Sequence, residues 1–153
     1  DPERMHRSVF HDHTEEIRRR VDEVIASQGP FGPTSDLMSG YGLALLRDGE
    51  SDHERTVWLY YGRNTGHGHQ DRLNLGLYAF DLDLMPDLGY PEHARVWPKR
   101  SGWTNHTISH NTVLVDRSPQ AGSYSGKVEY FAASPQAQVV KVRSPNVWTI
   151  GVR

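Results

Sequence analysis

His67 and His69 stand one residue apart in the run Gly66-His67-Gly68-His69-Gln70-Asp71, and two later segments, Pro86-Asp87-Leu88-Gly89-Tyr90-Pro91 and His110-Asn111-Thr112, carry a further Asp and a further His. On an extended strand, side chains two residues apart leave the same face. An Asp and a His delivered to that face by neighbouring strands would complete one compact site. Imidazoles and a carboxylate in such a set hold Zn2+ or a similar cation, at about 2.0–2.1 Å for nitrogen, or they exchange protons with a substrate. The sequence contains no cysteine, so a metal would rest on nitrogen and oxygen alone. The competing reading is a wet, histidine-rich loop with an unrelated turn Asp.

Other residues near these motifs have two readings each. Asp71 suits a partner that orients a histidine through its second ring nitrogen, or a turn cap. Gly62, Gly66, Gly68 and Gly89 allow close backbone approach around the histidines, yet ordinary turns ask for the same residue. The segment from Gly89 to Ser109 lacks periodicity and holds Arg95, Trp97, Lys99, Arg100 and Trp103, which makes it a candidate binding loop by length. A positive cluster beside a histidine site suits an anionic substrate. Tyr90, Trp97, Trp103 and Tyr124 could stack on sugar rings or cover a sheet edge. Asn105-His106-Thr107 matches a glycosylation acceptor, which has meaning only in a eukaryotic secretory protein.

The elements that must position these groups are mostly strands. From about Glu3 to Ser27 the pattern is helical, with Ile17, Val21, Val24 and Ile25 on one stripe, and Gly29-Pro30-Phe31-Gly32-Pro33 stops it. His6, His11 and His13 fall in this helical stretch. Short β-rich runs follow at Tyr41 to Leu46, Thr56 to Tyr61, Leu73 to Phe80, Thr112 to Asp116, Lys127 to Ala132, Gln138 to Val142 and Val147 to Val152. A shorter run, Leu82 to Met85, would return antiparallel to the third and deliver Asp87. Strands separated by Gly, Pro, Asn and Ser turns predict a mainly β fold, an antiparallel sandwich or barrel with one N-terminal helix.

Composition narrows the function classes. The chain has 153 residues, 36% hydrophobic content and a formal charge of −2, about one domain's length with enough apolar residues for a core. Lys and Arg are dispersed, so there is no nucleic-acid footprint. No stretch approaches the roughly 20 apolar residues of a bilayer span, and no basic-then-apolar signal pattern opens the chain. The lone helix and the final run to Arg153, which has no terminating turn, read as a piece of something larger.

In order along the chain, Tyr41-Gly42-Leu43-Ala44-Leu45-Leu46-Arg47, then the Gly66 to Asp71 run with Leu73-Asn74-Leu75 and Leu77-Tyr78-Ala79, then Asp87-Leu88-Gly89-Tyr90, and finally Ser109-His110-Asn111-Thr112-Val113-Leu114-Val115-Asp116 resemble the heparinase II/III-like polysaccharide lyases, which include alginate lyase relatives. The resemblance implies an N-terminal α/α toroid followed by a β-sandwich. Residues 1–28 would be the last helix of the missing helical domain and 29–153 a partial antiparallel sandwich. It also implies β-elimination on a uronic-acid polysaccharide, with His67 catalytic and His69, Asp87 and His110 as ligands of a structural Zn2+. Tyr90 is a further candidate acid, and Arg95, Trp97 and Arg100 are candidate substrate contacts. The family's toroid supplies further catalytic groups that this chain lacks, so the chain alone should be at most feebly active. A periplasmic or secreted location goes with a polymeric substrate.

Two other classes compete. A cupin-like oxygenase or isomerase would also use HxH with a later carboxylate and His. Cupins usually place a Glu soon after HxH, where this chain reads Gln70-Asp71-Arg72-Leu73-Asn74-Leu75. A non-catalytic carbohydrate-binding sandwich would keep the metal for structure only.

Overall fold

A computed structural model describes residues 14–29, 32, 34–49, 53–93, 95–122, 126–145 and 147. His6, His11, His13, Tyr124 and, beyond Val147 itself, the expected strand to Val152 lie outside these residues. The chain divides into two compact units, Asp1–Pro33 and Thr34–Arg153.

In the first unit, helix α1 spans Thr14–Gln28, with Glu15 and Glu16 in its first turn, where the helix dipole favours acidic side chains. Arg20 pairs with Glu16 at 3.4 Å, one turn apart. Gly29, at φ +83, closes the helix by donating its N–H to Ile25 O at 2.8 Å.

The second unit is the antiparallel β fold that the strand pattern predicts. Strands β1 (Asp36–Met38), β2 (Leu43–Asp48), β3 (Arg55–Tyr60), β4 (Asn74–Ala79) and β5 (Leu82–Asp83) form one sheet in chain order. A second sheet is the hairpin of β6 (Lys127–Ala133) and β7 (Gln138–Arg143). β5 does return antiparallel to β4, with Tyr78 opposite Asp83, through Phe80 and Asp81, both at positive φ.

Two differences from the sequence reading stand out. β1 is too short to carry a periodic signal. The run Thr112 to Asp116 is not a strand: it contributes one isolated bridge, Val115 to Ser118. Its opening hydroxyl is used elsewhere, since Thr112 Oγ1 donates to Arg72 O at 2.7 Å, and the preceding Asn111 donates to Met85 O and Pro86 O. Positive φ at Asp116 and Arg117 then turns the chain.

Register gives the large sheet two different faces. Leu43 lies opposite Tyr60 and Leu45 opposite Trp58, while Trp58 lies opposite Gly76 and Tyr60 opposite Asn74. Of this set, Leu43, Leu45, Trp58, Tyr60 and Asn74 line a cleft of about 410 Å³. The alternate set, Ala44, Leu46, Val57, Leu59 and Leu75, borders a second cavity together with Gln138, Val139 and Val140 of β7, which is the alternation a two-layer sandwich requires.

Two glycines hold this geometry. A Cβ on Gly42, at φ +85, would sit 2.3 Å from Gly62 Cα. The turn into β2 and the exit of β3 therefore touch backbone to backbone, and Tyr61 N donates to Gly42 O at 2.7 Å. On Gly76 a Cβ would fall 1.9 Å from the Trp58 indole; the missing side chain is what lets that ring lie across β4. Gly76→Ala should destabilise the unit by about 1–3 kcal/mol, the usual cost of overpacking. A thermal melt together with a change in tryptophan emission would register it, and an unchanged melt would mean that Trp58 does not occupy this position.

Candidate metal centre and cleft

His67 and His69 do not lie on a strand. Residues 61–73 form an irregular connection from β3 to β4, so the expected strand alternation is not what brings the two rings to one side. Hydrogen bonds do that. Gln70 N donates to Asn105 O at 3.0 Å and Leu73 N to Tyr60 O at 2.7 Å, while Thr107 Oγ1 donates to Gln70 O at 2.7 Å. Arg72 is 0% exposed and gives its Nε–H to Gly62 O at 3.1 Å. Gln120, equally enclosed, accepts from Arg72 N and donates to Arg72 O, both at 2.8 Å. Buried main-chain groups in a loop need such partners.

His69, Asp87 and His110 come together. One donor atom from each lies within 4.8 Å of the other two, and the histidines are buried. Asp87 follows β5. His110 follows a π-helical turn, Lys99–Thr104, and a 3-10 turn, Thr107–Ser109. Asp87 Oδ2 accepts from Asn74 Nδ2 at 2.7 Å and lies 2.9 Å from His110 Nδ1; its Oδ1 accepts from Gly89 N at 2.7 Å. His110 Nε2 is 3.0 Å from Thr104 O. A carbonyl only accepts, so Nε2 carries the proton and Nδ1 is the nitrogen that faces Asp87. His69 Nε2 is buried with no hydrogen-bond partner. An orphaned imidazole nitrogen beside a carboxylate and a second imidazole is the donor set that a divalent cation fits.

Charge follows this geometry. The His110 hydrogen bond, with help from the Gly89 N–H and the Asn74 amide, holds Asp87 at about 2 despite its burial. Burial pushes His110 down, but the bond to Asp87 and its charge outweigh that and keep His110 above the ordinary histidine value. For His69, burial and the neighbouring His110 push the pKa down. Burial raises Asp71 to about 6.

At the mouth of the cleft a second group forms. Tyr90 Oη lies 3.0 Å from His67 O and 3.2 Å from His67 Nδ1. With its one proton given to the carbonyl, the hydroxyl accepts from Nδ1–H, and Nε2 of the exposed His67 keeps its lone pair. The Tyr90 ring stacks on His69 at 5.5 Å. Arg100 also lies over the Tyr90 ring, with Cζ 4.7 Å from its centroid, and donates to His67 O at 3.2 Å. Tyr60, raised to about 12 by burial and then by Asp71, stays protonated.

Among the described residues, His67, His69, Asp71, Asp87 and Tyr90 line one cleft, and Arg100 braces its loop. Arg95 and Trp97 do not line it and are exposed. Sequence reasoning missed Asn74, Thr104 and Gln120, whose residue types normally signal surface or turn.

Residues 42–151 match the family described as Heparinase II/III-like, C-terminal. The chain belongs to this family. It is 27% identical over 113 residues to an "Alginate lyase" of Stenotrophomonas maltophilia, covering 64% of this chain and 15% of that protein. It is 32% identical over 83 residues to an "Exo-oligoalginate lyase" of Saccharophagus degradans, covering 48% of this chain and 11% of that protein. In fold it is similar to the heparan sulfate lyase HepC of Pedobacter heparinus, with a TM-score of 0.68 at 16% identity over 86% of this chain and 22% of that one. The chain thus corresponds to a small fraction of each relative's length.

A cation at this centre must displace the proton on His110 Nδ1. That proton is held above the ordinary value of 6.5, while Asp87 remains ionised down to about 2 and His69 is already biased to the neutral form. Cation affinity should therefore fall by about tenfold per pH unit below the His110 pKa, with the loss starting at a higher pH than an ordinary histidine would give. Metal titrations between pH 5 and pH 8, both roughly chosen about the histidine range, will check this; a flat profile would mean that His110 is not a ligand.

Proposed function

We propose that this chain supplies the metal-organised side of the active site of a polysaccharide lyase that cleaves a uronic-acid polymer by β-elimination. The observation that carries the reading is the pairing of exposed His67 with Tyr90, whose ring stacks on His69 of the His69, Asp87 and His110 cluster. In β-elimination a base takes the proton α to the uronate carboxylate. The electron pair forms a carbon–carbon double bond, and the glycosidic oxygen leaves with a proton supplied by an acid. His67 Nε2, with its lone pair free, suits the exchange of a proton with the sugar. Tyr90 fixes the His67 tautomer and offers a hydroxyl at the same point. Arg100, with Arg95 and Trp97 further out on the same loop, would face the acidic polymer, where a cationic side chain favours the charge that develops on the carboxylate.

His69 through Nε2, His110 through Nδ1 and Asp87 through Oδ2 would hold a structural Zn2+, which supplies a fixed cross-link between the three loops when bound. The open strand order of the large sheet and the family membership speak against the cupin-like alternative. A helical domain preceding residue 29 would furnish the remaining catalytic groups, and a periplasmic or secreted location goes with a polymeric substrate. The two relatives found by sequence are named as alginate lyases, so alginate is the first substrate to try and heparan sulfate the second.

The test uses the longer protein containing this chain. Product formation is followed by the ultraviolet absorbance of the new double bond. His67→Ala should lower the rate at least about 100-fold, the scale of a lost proton-transfer group, with metal content unchanged. Full activity in that variant would remove His67 from the mechanism.

A further inference from the structure

The three ligands leave a tetrahedral cation one partner short, and the geometry points to how that place is filled. We propose that Asp71 Oδ1 holds a water as the cation's remaining ligand, and that its charge keeps the substrate carboxylate off the metal. This rests on the metal reading above.

Asp71 is 9% exposed and lines the same cleft as His69 and Asp87. Its Oδ1 is buried without a hydrogen-bond partner, an arrangement that is costly unless something unseen donates to it. A water on the cation is such a donor.

Asp71 is not one of the residues whose donor atoms converge, so its part in the proposal is to hold a bridging water rather than to ligate directly. Nor does it orient His110, because Asp87 and Thr104 O already occupy both ring nitrogens. A fixed carboxylate beside the open position repels anions and welcomes a neutral donor. The metal would then organise loops without binding the uronate, leaving that charge to groups at the cleft mouth.

The experiment compares the full chain with Asp71→Asn and Asp71→Ala by Zn2+ titration against a competing chelator, with metal-free melts to establish folding. Affinity should fall about 10–100-fold in Asp71→Ala, the usual effect of losing a group that supports a ligand, and less in Asp71→Asn. In the Co2+-loaded proteins, azide should alter the visible spectrum of Asp71→Asn but not of the wild type. If Asp71→Ala does not fold, Asp71→Asn carries both measurements. Equal Zn2+ affinity across the folded proteins, or an equal azide response in wild type and variant, overturns the role of Asp71 while leaving the metal centre intact. A wild-type chain that takes up no Zn2+ overturns the metal reading itself.

Discussion

A chain of hydrogen bonds from Asn74 through Asp87 to His110 ties together the three segments that make the site. Asn74 is the first residue of β4 and is 1% exposed. Its amide nitrogen serves Asp87 and its amide oxygen accepts from Asn111 N at 2.9 Å. One side chain on the sheet thus fixes the position of a carboxylate beyond β5 and of the segment that carries a histidine. Remove the amide, and Asp87 keeps its charge but loses the reference that aims it. Such networks are stiff when every member is satisfied and unstable when one is not, which makes this chain of contacts the constraint on which the centre depends.

The same economy appears one layer out, where Tyr90 makes three contacts: its ring stacks on His69, Arg100 lies over the ring, and its hydroxyl meets His67. The buried centre and the exposed histidine are therefore mechanically joined by an aromatic plate. Burial separates their chemistry. His69 and His110 are withdrawn from water, while His67 is exposed to it.

How much of this was readable in the sequence depends on which physical signal carries each part. β2, β3, β4, β6 and β7 were legible because alternating apolar residues report a half-buried strand directly. The convergence of His69, Asp87 and His110 was legible because their residue types stand out in three short motifs along the chain. His67 and His69 were assigned to one side for a reason that does not hold, since the connection is a loop fixed by polar contacts. The run from Thr112 to Asp116 has strand composition, but the Thr112 hydroxyl and the amide of the preceding Asn111 bond to neighbouring segments, and the run makes one isolated bridge instead of pairing with a strand. Arg72 and Gln120 were invisible for the same cause: a buried guanidinium or amide looks identical, in sequence, to one in water. Arg95 and Trp97 were grouped with Arg100 by proximity in the chain, yet only Arg100 turns back onto the histidine loop.

The two faces of the large sheet carry a further implication for how such a domain can diversify. Leu43, Leu45 and Trp58 alternate along β2 and β3 with Ala44 and Val57, so residues bordering the cleft are interleaved one for one with residues bordering the other sheet. Point substitutions can thus reshape the groove wall while the scaffold beneath keeps its interdigitation. An insertion or deletion of a single residue in either strand has the opposite outcome, because it exchanges the two sets and dismantles both surfaces at once. Variation in ligand preference across such domains should accordingly be written in replacements along these strands, and changes in length should be confined to the connections.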